Sequence, residues 1–110
     1  MIAMKALLIV SVFWLSLSAA HAESVNVKYR GVVDLAPFSC EEVTRSSIVN
    51  RVCYDQANSY MLIQLNGTFY HYCMIGADVV NGMLSASSMG RFFGAYIKGR
   101  YDCRLGGVPE

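Results

Sequence analysis

The sequence has almost no net charge. Nine lysines and arginines face eight aspartates and glutamates. Without Lys5, which belongs to the leader described below, the two signs balance at eight each. A strong pull on polyanions needs an excess of one sign, so a nucleic-acid magnet or basic tail is excluded. Histidine is scarce, and of the two present only His71 lies beyond the leader. No G-x-S-x-G elbow, phosphate loop or dinucleotide fingerprint occurs. Asp55, Asp78 and Asp102 stand apart, with no carboxylate pair and no EF-hand spacing. The cysteines form no CxxC or CxxH pair, the spacing a zinc site would show. Ser85, Ser87 and Ser88 precede or follow helical stretches, where serine serves as a cap. Apart from His71 and the cysteines taken up below, the residues therefore offer no catalytic group, no metal site and no cofactor, and the chain is read as not an enzyme.

What is present begins with a leader. Met1–Lys5 carries one positive charge, Ala6–Leu17 is almost continuously apolar, and Ala20-His21-Ala22 places small residues where a signal peptidase needs them. Cleavage after Ala22 is expected, giving a mature start at Glu23. The apolar run falls short of the roughly 20 residues that span a bilayer. No stable membrane anchor is expected after cleavage, and the product is placed in the periplasm or outside the cell. The 88 residues that remain of 110 suffice for one domain.

Export changes how Cys40, Cys53, Cys73 and Cys103 read. An even number of cysteines in an oxidising compartment points to disulfides, which a small domain needs as staples.

Ser46–Asp55, Tyr60–Leu65 and Thr68–Ile75 read as strands. Asn66-Gly67 between the last two is a strong hairpin signal, because a type I′ turn needs positive φ at both centres. The period then changes. Val79, Val80, Met83 and Leu84 recur at helical spacing behind Asp78. Met89, Phe92, Phe93, Tyr96 and Ile97 form a second stripe, with Ser87 or Ser88 as cap and Gly99 as stop. The expected class is α+β: a three-stranded antiparallel meander followed by two helices packed on one face, with N- and C-terminal extensions. Residues 23–44 form an extended N-terminal arm and residues 102–110 a tail. The face turned from the helices, with Val49, Tyr60, Leu62 and Phe69, is too apolar to be fully wet. Arm and tail are the only material left to cover it.

That layout restricts the cysteines. With Cys53 on the first strand and Cys73 on the third, their Cα atoms would stand about 9–10 Å apart, beyond disulfide reach. Two pairings remain: Cys40–Cys53 with Cys73–Cys103, or Cys40–Cys73 with Cys53–Cys103. Either staples the extensions to the outer face.

Arg45-Ser46-Ser47-Ile48, Val52-Cys53-Tyr54-Asp55, Asn66-Gly67-Thr68, Tyr70-His71-Tyr72 and Ala86-Ser87-Ser88-Met89-Gly90 followed by Phe92-Phe93 occur here in one order and spacing. Over residues 45–101 the chain resembles the KTSC domain, a small module named for its place at the C-terminus of some lysyl-tRNA synthetases. The resemblance implies a central Tyr-x-Tyr, here Tyr70 and Tyr72, a bacterial source, and RNA as a suggested ligand.

Tyr70 and Tyr72 point the same way from a strand, as a stacking platform or as core under the helices. Their apolar company favours core. Arg91, Lys98, Arg100 and Arg104, with Tyr96 and Tyr101 between them, form a candidate anion-binding stripe or the solvated side of a helix. His71 shares its face with Cys53 and Cys73, so a thiol enzyme is a further alternative, one that oxidised cysteines would forbid. The leading expectation is a small exported, disulfide-stapled, non-catalytic module that binds a protein or small-molecule ligand. Nucleic acid is not expected as its partner; an RNA-binding domain is the alternative that the resemblance supplies.

Overall fold

The computed structural model describes residues 22–110. The leader expected over residues 1–22 lies outside them except for Ala22. The described chain runs β1 (Ser24–Val27), β2 (Gly31–Asp34), β3 (Ser39–Glu42), β4 (Val49–Asp55), β5 (Tyr60–Leu65), β6 (Thr68–Tyr72), α1 (Ala77–Ser85) and α2 (Met89–Phe92). A π-helical turn over Phe93–Ile97 follows α2 directly, and a 3-10 turn spans Cys103–Leu105.

One mixed sheet holds all six strands in the order β2-β1-β6-β5-β4-β3. Tyr60, Met61, Leu62 and Ile63 are fully buried, so β5 carries apolar side chains on both faces, as a strand inside a sheet should. Asn66 and Gly67 take φ of 48° and 85°, which joins β5 to β6 by a two-residue turn. Asn50 steadies that turn, its Oδ1 accepting from Gly67 N at 2.8 Å.

The expected three-stranded meander with helices on one face is corrected here. The sheet has six strands, because residues read as an arm supply β1, β2 and β3. β1 and β2 form an antiparallel hairpin, and β1 joins β6 in parallel at Val27 opposite Phe69. β3 pairs with β4 antiparallel. Each added strand is only four residues long and β3 is exposed throughout, so none carries a clear alternation of its own. Long-range pairing creates them. The second helix also differs: its α-helical part is four residues, and Lys98 N closes onto Phe93 O at 2.9 Å in an i→i−5 bond.

Two apolar clusters sandwich the sheet. One joins Val52, Met61 and Ile63 to Val80 and Met83 of α1, and to Met89, Phe93 and Ile97 beyond. The other joins Tyr60, Leu62, Phe69, Cys53 and Cys73 to Val27, Val33 and Leu35 from the N-terminal segment and Cys103 from the tail. Val49 belongs to the helix-side cluster, against the face that strict alternation assigns it. A bulge between Val49 and Arg51 shifts the register by one residue and turns Val49 inward beside Val52.

Local bonds close the ends. Ser88 Oγ accepts from Arg91 N at 3.3 Å as the cap of α2. Arg45 donates to the carbonyls of Leu84 and Ala86 at 2.7 Å each, binding the C-terminus of α1 to the loop before β4. Among the described residues no helix is long and apolar enough to cross a membrane.

Candidate functional site

The cysteines pair as Cys40–Cys53 and Cys73–Cys103, one of the two arrangements left open above. Cys40 stands directly opposite Cys53 in the β3–β4 ladder, with Cα atoms 4.0 Å apart. Cys73 follows β6 and holds Cys103 in the tail across 4.8 Å. All four thiols are consumed, so His71 has no thiol to activate. Its Nδ1 instead lies 2.7 Å from the Tyr60 hydroxyl.

A cleft of about 510 Å³ opens where β1 leaves β6, a size that suits a small ligand. Its floor is Tyr70, His71 and Tyr72 of β6. One wall is Lys28 and Tyr29, at the turn between β1 and β2; the other is Gly99–Arg100 and Asp102–Arg104. The β1–β2 turn sends Tyr29 outward. Its φ is 70°, and the residue is 86% exposed. Lys28 Nζ stands 5.4 Å from the Tyr29 ring centroid and 5.7 Å from that of Tyr70, a cation held between two aromatic faces. Tyr101, at φ 55°, turns the chain on the opposite side, and its carbonyl accepts from Cys73 N at 2.8 Å.

The rings of the floor do double service. Tyr72 packs edge-on against Phe93 with centroids 5.7 Å apart, and both tyrosines touch the helix-side cluster. Burial raises the Tyr72 phenol pKa, and Tyr70 and Asp102 push it the same way. The ring therefore stays neutral at physiological pH and acts through its face and hydroxyl. His71 is turned to the other side of the sheet. Burial lowers its imidazole pKa, Arg30 lowers it further and Asp102 opposes them. Arg30 lies over the Tyr60 ring at 5.1 Å and donates to the Pro109 carbonyl at 2.7 Å, which ties the tail across this face.

Charge in the cleft is mostly positive. Asp102 accepts from Arg104 N at 2.9 Å and from Arg104 Nε at 2.8 Å, and these bonds hold its carboxyl below the usual carboxylate range. Asp102 is thus matched by Arg104, whereas Lys28 and Arg100, which also line the cleft, form no ion pair among the described residues. The expected basic stripe does not converge as a whole. Arg100 and Arg104 reach the cleft with Tyr70 and Tyr72; Lys98 is exposed outside it, and Arg91 lies with Arg45 and Ser47 in a separate hollow by α2. Arg91 lies in α2, Lys98 caps the π-helical turn, and Arg100 and Arg104 lie beyond it, so no single helix face carries all four. Lys28 and Tyr29 escape sequence reasoning because a Lys-Tyr-Arg turn is no hairpin signature, and only the parallel pairing of β1 brings it to β6.

Comparison with known proteins meets this geometry at its floor. The KTSC domain model matches residues 45–101. The crystal structure of a KTSC domain protein from Yersinia pestis is 30% identical, with a TM-score of 0.56 over 59% of this chain and 92% of that one. None of the curated proteins compared matches. With the motifs, the matched span and the shared fold in agreement, this chain belongs to the KTSC domain family.

Proposed function

We propose that this protein is an exported, non-catalytic binding module whose site is the cleft over Tyr70 and Tyr72, and whose ligand is an anion. The observation that carries the reading is the convergence of Lys28 and Arg100 on a groove floored by tyrosines, where the one lining carboxylate, Asp102, is already paired with Arg104. Cations at a cleft wall attract an anionic group and hold it in place, while a neutral aromatic floor gives apolar contact area. Two disulfides fit an oxidising compartment, and the leader read over residues 1–22 supplies a route to it.

Two measurements test the reading. The intact mass of the protein recovered from its producing cells should correspond to a start at Glu23 with four oxidised cysteines; a retained leader removes the export half. Chemical-shift mapping at low salt, with acidic peptides, acidic oligosaccharides and mononucleotides as probes, should move the amides of Lys28, His71 and Arg100. A panel in which no probe shifts these amides ends the binding half.

A further inference from the structure

The floor of the cleft is a strand edge. Lys28 N donates to Phe69 O at 2.9 Å, and Cys73 N donates to Tyr101 O at 2.8 Å. Both bonds are made on the side of β6 away from β5, so Phe69, His71 and Cys73 turn their backbone groups that way. Tyr70 and Tyr72 turn theirs to Ile63 and Met61 of β5, in keeping with the Leu65–Thr68 hairpin closure. His71 lies midway between the two outward bonds, and among the described residues its N–H and C=O have no backbone partner on that edge. β1 would occupy this place if it continued, but its chain turns away at Lys28–Arg30. From Phe69 to Cys73 the edge is about 13 Å long, at roughly 3.3 Å per residue.

Resting on the anionic-ligand reading above, we infer that the cleft takes an extended acidic peptide segment, which continues the line of β1 along β6. The segment exchanges backbone hydrogen bonds with His71 N–H and C=O, and its acidic side chains meet Lys28 and Arg100. Three features select a peptide over other anions. An open edge offers a donor and an acceptor together, which a strand answers with its own acceptor and donor. The gap is three to four residues long, between stops made by this chain itself. Tyr29, 86% exposed, lines the cleft as apolar surface for side chains of the same segment. Alternation along a strand puts every second side chain on one side, so an acidic–apolar repeat keeps its carboxylates together, apart from its apolar side chains.

The test uses the oxidised mature protein and a capped tripeptide, acetyl-Asp-Val-Asp-amide, which fits the gap, with singly N-methylated versions of it. Binding of the parent should slow hydrogen exchange at the His71 amide. One N-methyl position should weaken binding by roughly tenfold or more, as loss of a backbone donor combined with a steric block would. Lys28→Ala and Arg100→Ala should each weaken it, with the weakening reduced at high salt. Binding that is indifferent to every N-methyl group, with His71 unprotected, overturns the strand geometry. Binding of acidic oligosaccharide or mononucleotide with no binding of peptide overturns the peptide class and leaves the anionic-ligand reading standing. Absence of binding by every probe overturns both.

Discussion

Phe92 and Phe93 lie side by side in one apolar stripe, yet the structure gives them different weights. Phe93 is 7% exposed within the helix-side cluster, and its ring meets Tyr72 edge-on at 5.7 Å. Phe92 is half-buried; it rests over Gly82, where an added Cβ would come within 3.0 Å of its ring, and lies 4.8 Å from the Tyr96 ring. Phe93→Ala removes a whole ring from a closed cluster, which costs about 3–5 kcal/mol. Phe92→Ala removes a ring that already touches water, at about 1–2 kcal/mol. A domain of this size loses roughly 4–8 °C of melting temperature per kcal/mol. Phe93→Ala should therefore melt at least about 12 °C lower, and Phe92→Ala about 4–16 °C lower, with Phe93→Ala always the less stable of the pair. Thermal unfolding followed by circular dichroism with disulfides intact measures both. Equal midpoints for the two variants, or a lower one for Phe92→Ala, would refute the placement of the π-helical turn that sends Phe93 inward.

Acid should act on His71 before it acts on carboxylates. Its folded pKa is lowered by burial and Arg30, so the unfolded chain takes the proton first. The stability this group contributes is complete above about pH 6.5 and is lost as pH falls through the folded value. Denaturant midpoints should decline in that window for the native protein and stay flat there for His71→Gln; Glu23 and Asp102, also lowered, act only in the carboxylate range further down. The two disulfides close loops with separations of 13 and 30 residues. Replacing Cys73 and Cys103 together by Ala should cost about 0.7 kcal/mol more than replacing Cys40 and Cys53, on chain-entropy grounds. The opposite order in urea unfolding would show that strand β3 depends on its staple more than the tail does. Arg45→Ala removes two bonds to the end of α1 and should cost about 1 kcal/mol by the same assay; no change would mean water replaces them.

Legibility in the sequence followed the range of the forces involved. Tyr60–Leu65 shows in a run of apolar residues, Asn66-Gly67 in backbone conformation, and Met89, Phe93 and Ile97 in helical spacing; each signal is contained in a few consecutive residues. The N-terminal strands have no such signal. Ser39–Glu42 is polar and exposed, and it is a strand because Cys40 faces Cys53 and Glu42 reaches Arg51, whose Nε stands 2.8 Å from Glu42 Oε1. Val49 departs from strict alternation for a related reason, since a bulge that only pairing with Leu65 and Gln64 reveals turns it to the helix side. In the candidate site, Tyr70, Tyr72, Arg100 and Arg104 carry types that a motif search notices. Lys28 and Tyr29 are ordinary residues in a turn, and their meaning comes from a parallel contact about 40 positions away in the chain.

The cleft is divided between the family's domain and what flanks it. Residues 45–101 contribute the floor, Tyr70 to Tyr72, together with Arg100. Lys28 and Tyr29 come from before that span, and Asp102 and Arg104 from after it. The disulfides follow the same division, since Cys53 and Cys73 lie within the span and Cys40 and Cys103 outside it. Bulky residues in left-handed backbone gather here too: Tyr29 on one wall, Tyr101 between lining residues of the other, and Met74 beside Cys73. Such conformations cost of order 1–3 kcal/mol each and persist where the surroundings over-determine them. A hairpin tip and a tail segment would relax without fixed anchors; here Val27 is buried against Phe69, and Cys103 is bonded to Cys73. The flanking segments thus do two things at once. They close the second apolar face of the sheet, and in doing so they stop short of His71 from both directions, which leaves the edge of β6 open between two positively charged walls.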